Sequence, residues 1–193
     1  MIDFRGTRSL HRTNRSGLRR CAFGLVAIAM LAMTTKAAHA QASVYLDYGA
    51  TMMTTDNQTI SRILYGPIGG LMFNVRSGHN IDLGGDIRGS YLQQSGANAA
   101  SLTGLVLGPR LATHIKRAKP YGEFLMGFAR FNNNVPSAPN NTTDSEVELN
   151  AGVDFPVRKH IDWRVFEYSW GKYLADSGEF NPRTYSTGIV FHF

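Results

Sequence analysis

The last eleven residues of the chain, Arg183-Thr-Tyr-Ser-Thr-Gly-Ile-Val-Phe-His-Phe193, alternate between two kinds of side chain. In an extended strand successive side chains point to opposite faces, so every second residue shares a face. A soluble domain seldom ends on an aromatic strand, because fraying at the terminus would expose apolar surface. A strand that closes a barrel inside lipid needs an apolar outer face and a fully paired backbone. The stretch therefore predicts a closing strand whose outer face holds Tyr185, Thr187, Ile189, Phe191 and Phe193.

The first 40 residues have the composition of a secretory signal peptide. A basic region, residues 5–20, precedes an apolar run of 13 residues, Cys21–Met33. Ala38 and Ala40 then supply a cleavage site of the small-x-small type. The run is too short for a transmembrane helix, which needs about 20 residues, so a retained anchor is the weaker alternative. We expect residues 1–40 to be removed and residues 41–193 to form one domain.

The positive charge of the whole sequence belongs to this leader. The chain has 20 Lys and Arg residues, 14 Asp and Glu residues and a net charge of +6. Seven of the basic residues and one of the acidic residues precede residue 41, which leaves 13 of each in the mature part. A neutral mature chain gives no indication of nucleic-acid binding. The only cysteine, Cys21, lies in the leader, so neither a disulfide framework nor a cysteine metal site is expected after cleavage.

Seven further stretches alternate in the same way, which predicts an all-β fold: an eight-stranded antiparallel up-and-down transmembrane β-barrel. Short turns alternate with longer polar loops, as in outer-membrane barrels with periplasmic turns and external loops. Strands of roughly 11 residues, rising ~3.3 Å per residue at a tilt of ~40°, span about 25–28 Å, the height of the apolar band of such a barrel. The predicted strands are 43–50, 63–75, 81–91, 102–115, 121–131, 146–155, 161–173 and 183–193; the turns are 76–80, 116–120 and 156–160; the loops are 54–61, 93–101, 132–145 and 174–182.

Aromatic residues lie at both ends of the apolar face of these strands. Because the connections fix which end of each strand carries a loop, a membrane barrel should show aromatic girdles at both interfaces. The alternative is that aromatic residues are simply common in strands. The predicted turn-end girdle is Phe73, Phe155, Trp163 and Phe193, and the predicted loop-end girdle is Tyr48, Tyr65, Tyr91, Tyr173 and Tyr185.

Charged residues alternate with the apolar ones and are expected to face the barrel axis. Eight strands enclose a space that side chains just fill, so an open pore is not expected. Buried charges must pair, since an unpaired ion is costly, and a structural salt-bridge network is favoured over a proton or ion path. The predicted inward set is Asp47, Asp82, Asp86, Arg88, Arg110, Glu123, Glu148, Asp154 and Arg164.

Three positions break the regular pattern. Pro67 and Pro109 lie inside strands, and a closed barrel offers no edge for a residue without an N–H group, so we expect a bulge or a strand end at each. Beyond Phe166 the alternation would place Glu167 on the apolar face. A β-bulge at this point would return Glu167 to the polar side.

With these features, residues 43–193 resemble the OmpA/OmpX-type eight-stranded outer-membrane β-barrels. The alternation through Tyr185, Ile189, Phe191 and Phe193 resembles the signal that the barrel-assembly machinery reads during insertion. The resemblance implies an outer-membrane location, contact with outer-membrane lipid and lipopolysaccharide, and a monomer. OmpA-like proteins carry a peptidoglycan-binding domain after the barrel; this sequence departs from them there, and we expect it to have the barrel domain only. Three runs, Gly108–Arg110, Pro120–Arg130 and Asp154–Arg164, are similar to central strands of that family.

Three functions stay open on the sequence alone. The first is a monomeric outer-membrane barrel with a structural, barrier or surface-interaction role and no chemistry. In a surface-interaction role the external loops carry the function, above all 132–145, whose five Asn and two Pro residues suit recognition of another cell or macromolecule. The second is a lipid A deacylase or acyltransferase. In barrels of this size such enzymes work with a Ser and a His on the lipid-facing surface. Here the alternation places His114 and His192 on the inner face, and the sequence contains no His-x-Ser pair. The third is a periplasmic lipocalin-like barrel, with the apolar face inward. No metal-ligand spacing occurs, and we assign no catalytic residue, metal or cofactor.

Overall fold

The computed structural model describes residues 42–55, 58–78, 80–95, 99–133, 140–174 and 180–193. In these ranges the chain forms strands that close into a barrel, which confirms the predicted fold class. The described residues contain no helix long and apolar enough to cross a membrane. The predicted signal peptide with Ala38 and Ala40 lies outside the described residues. The strands are β1 (Ala42–Thr55), β2 (Gln58–Ser77), β3 (Ile81–Gln94), β4 (Ala100–Thr113), β5 (Lys119–Asn133), β6 (Asn140–Arg158), β7 (Ile161–Leu174) and β8 (Phe180–His192).

Every strand pairs antiparallel with its neighbours in the sequence, and β8 pairs with β1. The closing ladder is regular over its whole length, from Ser43 opposite His192 to Thr55 opposite Phe180. Each strand therefore has a paired neighbour on both sides, which leaves no open sheet edge to be hydrated, as a backbone inside hydrocarbon requires. The closing strand predicted from the terminal alternation is therefore confirmed.

The two faces of the barrel differ in chemistry. Phe124, Leu149 and Ile189 are 38%, 46% and 45% exposed on the outside, whereas Arg88 is 3% exposed on the inside. Large apolar side chains continue around the outer surface on all eight strands. This arrangement excludes the lipocalin-like alternative, which requires the apolar face inside. An apolar exterior around a charged interior is the arrangement of a barrel that spans a bilayer.

The strands extend further toward the loops than the sequence predicted. In the segment predicted as the loop 132–145, Asn133 pairs with Asn140 and Phe131 pairs with Thr142, so only 134–139 lie outside the described ladder. The composition of such a segment is that of a loop, but strands already aligned in the barrel can continue pairing, and threonine favours strands. The predicted loops 54–61, 93–101 and 174–182 are shortened in the same way.

The two prolines within strands do not create the predicted bulges. Pro67 pairs with Tyr48, and Pro109 pairs with Gly85, without any register shift. On the opposite side of each proline the ladder is interrupted for two residues and then resumes in the same register. The prediction of a bulge or strand end was wrong because the loss of one ladder hydrogen bond is absorbed locally, without the insertion of a residue.

Each of these prolines follows a glycine that the neighbouring strand approaches closely. A Cβ atom on Gly108 would collide with the backbone carbonyl oxygen of Phe124 in β5. We therefore expect Gly108→Ala to lower the free energy of unfolding by roughly 1–3 kcal/mol, since the backbone must shift. Gly122→Ala is the matched control, because its Cβ would lie 3.7 Å from the nearest backbone oxygen, in ordinary contact. Urea unfolding of both variants in lipid vesicles measures the difference, and equal stability of the two would contradict the argument.

The predicted bulge in β7 is present and has a consequence for the loop-end girdle. The register of β7 against β8 shifts between Arg164 and Glu167, and Glu167 is fully buried. Residues beyond the bulge with the parity of Glu167 also face inward, so Tyr173 is buried at 4% exposure. The assignment of Tyr173 to the girdle was wrong, because the bulge reverses the parity of the strand. Trp170 is instead the outward aromatic residue on this part of β7, at 41% exposure.

Candidate functional site

The barrel interior contains a network of buried charges centred on Arg164 of β7. Arg164 Nη1 donates to Asp47 Oδ2 at 2.9 Å, and Arg164 Nε donates to Asp154 Oδ1 at 3.0 Å. Nη1 also lies 3.3 Å from Glu167 Oε2. Arg164 and Glu167 are 0% exposed. The guanidinium therefore joins carboxylates from β1, β6 and β7 across the barrel, which ties strands far apart in the sequence to one centre.

Glu167 joins this centre to a second arginine. Its Oε2 accepts hydrogen bonds from Arg88 Nη2 at 2.8 Å and from the Tyr121 hydroxyl at 2.6 Å. Its Oε1 accepts from Ser186 Oγ at 3.3 Å. A buried carboxylate that faces two guanidinium groups and two hydroxyl groups is well compensated for its lost hydration. The sequence placed Glu167 on the polar side, but Glu167 was not included in the predicted interior set. A bulge changes the direction of a side chain, and the local sequence does not show which distant residues that side chain then contacts.

A third arginine completes the network on the opposite wall. Arg110 Nε donates to Glu123 Oε1 at 3.0 Å, and Arg110 Nη2 donates to Asp154 Oδ2 at 3.1 Å. The other oxygen of Glu123 accepts from Arg88 Nη2 at 3.0 Å. Glu123 and Asp154 thus each bridge two arginines. The resulting ring of alternating charges passes through Arg88, Glu123, Arg110, Asp154, Arg164 and Glu167.

Two tyrosines pack between the guanidinium groups. The Arg164 Cζ atom lies 4.4 Å from the ring centroid of Tyr45 and 4.8 Å from that of Tyr121. The Arg110 Cζ atom lies 4.3 Å from the Tyr121 centroid. The Tyr45 hydroxyl accepts from Arg88 Nε at 2.9 Å and donates to Asp86 Oδ2 at 2.8 Å. These cation–π contacts fill the space between charges, so the network is packed as well as paired.

The structure brings most of the predicted inward set together. Asp82 lies apart, near the turn end, with Oδ2 3.5 Å from His114 Nε2. Glu148 is half-buried, with Oε2 3.9 Å from Arg88 Nη1. The buried members are Asp47, Asp86, Arg88, Arg110, Glu123, Asp154 and Arg164. Of the girdle residues, Phe73, Phe155, Trp163, Phe193, Tyr48, Tyr65, Tyr91 and Tyr185 are all exposed on the outer face, and Tyr173 is not.

The loop half of the interior contains a cluster of buried apolar side chains, which sequence reasoning missed, together with the buried Thr51 and Glu146. Leu92 and Leu102 were assigned to no face, and both are buried inside the barrel. Runs in which both faces are apolar, such as Ile63-Leu64, are the signal that could have revealed this region. A cavity of about 20 Å³, room for about one water molecule, lies between the apolar residues and Arg88. The buried apolar cluster includes Met53, Leu64, Ile68, Leu92, Leu102 and Tyr173.

At the turn end, the chain brings together a serine, a histidine and an aspartate. Ser43 Oγ lies 2.7 Å from His192 Nδ1, and His192 Nε2 lies 2.8 Å from Asp162 Oδ2. Asp162 also accepts a hydrogen bond from Lys119 Nζ at 2.7 Å. Serine, histidine and aspartate are also the residues of the catalytic triad of serine hydrolases. In that triad, however, Nε2 of the histidine faces the serine and Nδ1 faces the aspartate, which is the reverse of the arrangement here. Ser43 is 4% exposed, so the arrangement couples three strand ends rather than presenting a nucleophile to solvent.

Within the described part of the chain no group of three or more His, Cys, Asp and Glu side chains is placed to hold a metal ion.

No protein-family model matches the sequence, and no curated protein matches it. Solved structures do match. Neisserial surface protein A is 12% identical with a TM-score of 0.63, covering 79% of this chain and 97% of its own. Ail, the attachment invasion locus protein of Yersinia pestis, is 13% identical with a TM-score of 0.55, covering 80% and 99%. The outer membrane enzyme PagL is 17% identical with a TM-score of 0.50, covering 75% and 98%. At these identities the likeness establishes the eight-stranded outer-membrane barrel fold.

Proposed function

We propose that this chain is an integral outer-membrane β-barrel with a sealed interior and a structural, barrier or surface-interaction role that involves no catalysis. The observation that carries the proposal is the reversal of polarity between the two faces. Leu46, Leu105 and Phe128 are about 60% exposed on the outside, while Arg164 and Glu167 are completely buried inside. A contiguous apolar surface of this extent is rare on a soluble monomer. Hydrocarbon is the environment that such a surface fits.

A barrier role is supported by the filled interior. The ring of arginines and carboxylates occupies the centre, and the apolar cluster with Leu64 and Leu102 packs in the loop half. The cavity between them has room for about one water molecule, which is too little for a continuous aqueous path. We therefore expect no stepwise ion conductance from the purified barrel in planar lipid bilayers. Steps of defined conductance would contradict the sealed interior.

The location is tested by expressing the full chain with its leader in a Gram-negative host. We expect the protein in the outer-membrane fraction, running at different positions on a detergent gel before and after boiling. The shift arises because a closed, fully hydrogen-bonded barrel stays folded in detergent until it is heated. Recovery in the soluble periplasmic fraction without detergent would refute the proposal.

Insertion is proposed to depend on the closing strand. Tyr185, Ile189, Phe191 and Phe193 are all exposed on the outer face, so the barrel-assembly machinery could read them before the strand meets β1. The regular β1–β8 ladder then closes the barrel as a monomer.

A surface-interaction role is supported by the hairpin of β5 and β6. Its strands stay paired as far as Asn133 and Asn140, five residues beyond Phe128, the last large apolar residue on the outer face of β5. A likeness in fold to Ail, whose name refers to attachment and invasion, is consistent with such a role. Asn133 pairs with Asn140, so residues 134–139 can be replaced by an Asn-Gly turn without disturbing the ladder. We propose that this replacement leaves stability unchanged and removes adhesion to host cells or surfaces. Unchanged adhesion would remove the support for this hairpin as the recognition element.

A lipid-modifying enzyme is the second candidate, because Ser43, His192 and Asp162 lie within contact of one another and PagL shares the fold. Ser43 is buried on the inner face at the turn end, and Asp162 is already paired with Lys119. We therefore favour a structural role for the three residues. Mass spectra of lipid A from strains expressing the wild-type chain and Ser43→Ala distinguish the two candidates. A mass change that needs Ser43 would establish the enzyme, and identical spectra would remove it.

A further inference from the structure

The interior holds more acidic side chains than basic ones. Among the described residues the buried cations are the three arginines of the ring. Seven carboxyl groups lie around these arginines: Asp47, Asp86, Glu123, Glu146, Glu148, Asp154 and Glu167. If all seven were ionised, four negative charges would have no buried cation. A carboxyl group buried without a cation takes up a proton instead of staying ionised, so part of the excess must be neutralised by something other than the described basic residues.

Two glutamates of β6 have the weakest contacts with the ring. The other five carboxyl groups accept hydrogen bonds from the arginines or from the Tyr45 hydroxyl. The shortest contact between Glu146 or Glu148 and a ring arginine is 3.9 Å, from Glu148 Oε2 to Arg88 Nη1, which is too long for a hydrogen bond. Glu146 is nevertheless buried, at 4% exposure. The uncompensated charge is therefore concentrated at these two residues.

The carboxyl groups of Glu146 and Glu148 converge on each other. Across the β6–β7 ladder Glu148 pairs with Gly171, and Glu146 pairs with the next inward residue, Tyr173. Glu146 Oε1 lies 3.3 Å from the position that a Cβ atom on Gly171 would occupy, so its side chain reaches back to the level of Glu148. The two side chains are within hydrogen-bonding reach of each other. Two carboxyl groups this close cannot both be ionised, because their charges repel, but they can share one proton.

Two buried oxygen atoms at this pair have no hydrogen-bond partner among the described residues. They are Oε2 of Glu148 and the hydroxyl of Tyr173, a side chain that is 4% exposed. Both glutamates also line the cavity that has room for about one water molecule. Buried polar atoms are normally paired, so these oxygens indicate a missing hydrogen-bond donor. A proton on Glu146 supplies that donor to Glu148, whereas an ionised pair supplies none.

The groups that face the pair cannot supply the missing charge. Arg88 is the only cation among them, and it already donates to Glu123 and Glu167. At the cavity the described parts of β2, β4 and β8 contribute only uncharged side chains. The titratable and charged groups around the two glutamates are Arg88 of β3, Glu123 of β5, Asp144 of β6, and Glu167 and Tyr173 of β7.

We propose that Glu146 and Glu148 share one proton at neutral pH and so form a proton-binding site between the arginine ring and the apolar cluster. The proton neutralises part of the excess charge and replaces a repulsive contact by a hydrogen bond. Its loss at alkaline pH places two like charges side by side in the loop half of the interior. That half of the barrel is therefore the part that responds to pH. The site goes beyond the barrier role proposed above and does not depend on it.

The pH dependence of unfolding counts this proton. A folded barrel that holds one proton more than the unfolded chain has an unfolding equilibrium constant that rises about tenfold per pH unit. Urea unfolding in vesicles is measured between about pH 6 and about pH 8, where a glutamate of the unfolded chain is ionised. We expect Glu146→Gln with Glu148→Gln to remove this tenfold dependence, because neither amide titrates. The histidines contribute equally to both proteins, so they cancel in the comparison.

Asp144→Asn is the matched control. Asp144 lies on the same strand and the same inward face, opposite the buried Ala129, so its loss should leave the wild-type pH dependence unchanged. Each single change, Glu146→Gln or Glu148→Gln, should remove the dependence as fully as the double change, because the amide donates the hydrogen bond that the proton made. If only one of the two does so, the proton belongs to that glutamate alone and the sharing is wrong. An unchanged dependence in all three variants would overturn the proposal.

Infrared spectroscopy of the folded barrel in detergent provides a second measurement that needs no unfolding. The carbonyl stretch of a protonated carboxyl group lies apart from those of carboxylate and amide groups. We expect this band in the wild type at neutral pH, a loss of intensity in the double variant, and no loss in Asp144→Asn. Absence of the band in the wild type would contradict a bound proton. Stability that varies with the Na⁺ or K⁺ concentration at constant ionic strength, without the tenfold pH dependence, would mean that a metal ion occupies the site instead.

Discussion

Replacing Arg164 by methionine is expected to lower the free energy of unfolding by about 3–5 kcal/mol, the typical effect of removing one partner from a buried ion pair. Methionine has a similar length and would fill most of the space between Tyr45 and Tyr121. It cannot neutralise Asp47 and Asp154, whose oxygens lie 2.9 and 3.0 Å from the guanidinium. The loss is therefore electrostatic rather than a cavity effect.

Urea unfolding in lipid vesicles, followed by tryptophan fluorescence, measures this loss. Arg130→Met is the matched control, because Arg130 faces outward and has no role in the interior network; a change within roughly 1 kcal/mol is expected. Adding Asp47→Asn to Arg164→Met should recover part of the stability, since one of the stranded carboxylates is removed. A double variant that is no more stable than Arg164→Met alone would contradict this account of the network.

The apolar faces and the number of strands could be predicted from the sequence because their causes are local. Strand periodicity places Ile81, Leu83 and Ile87 on one face and Asp82 and Asp86 on the other whatever the rest of the chain does. Membrane barrels strengthen this signal, since one face must match hydrocarbon and the other must not. Most of the buried charges followed from the same rule, but Glu146, Asp162 and Glu167 are buried as well and were not in the predicted set.

The contacts of the interior could not be predicted, because they depend on the register of distant strands. Arg164 meets Asp47 across 117 residues of sequence, and Ser43 meets His192 across 149. A single inserted residue reverses which side chains meet, as the bulge before Glu167 shows. Because of the same bulge, Tyr173 lies in the interior and not in the predicted outer girdle. One local irregularity therefore reversed the predicted face of the residues that follow it in β7.

The buried arginine–carboxylate ring and the apolar outer face together fix the register of the strands. The arginine–carboxylate ring fixes which strands meet at the centre, because a slip of one residue would turn charged residues toward lipid and apolar residues toward the axis. The glycine–proline pairs at Gly66-Pro67 and Gly108-Pro109 allow close strand approach without a change of register. Stability and specificity in this barrel therefore depend on the same alternation.

The outer face is tested most directly by placing a charge at its centre. Leu107 lies in the middle of β4, paired with Ile87 and Met126 near the middle of β3 and β5, and is 51% exposed. In a bilayer, Leu107→Arg should lower the free energy of unfolding by about 2–4 kcal/mol, the cost of an arginine near the midplane of a membrane barrel. On a soluble barrel the same change at an exposed position would alter stability by only about 0.5 kcal/mol. The two environments therefore predict clearly different results from one substitution.

Ser101→Arg provides the matched control for Leu107→Arg. Ser101 lies on the same strand and the same face, six residues toward the loop end, where an arginine should cost about 0–1 kcal/mol. Urea unfolding in vesicles should therefore show a loss that grows with depth. The physical reason is that the side chain of residue 101 can reach the headgroups, whereas that of residue 107 must draw its charge into hydrocarbon or distort the bilayer. Equal, small effects at both positions would mean that water rather than lipid covers this face, and the membrane-spanning assignment would have to be withdrawn.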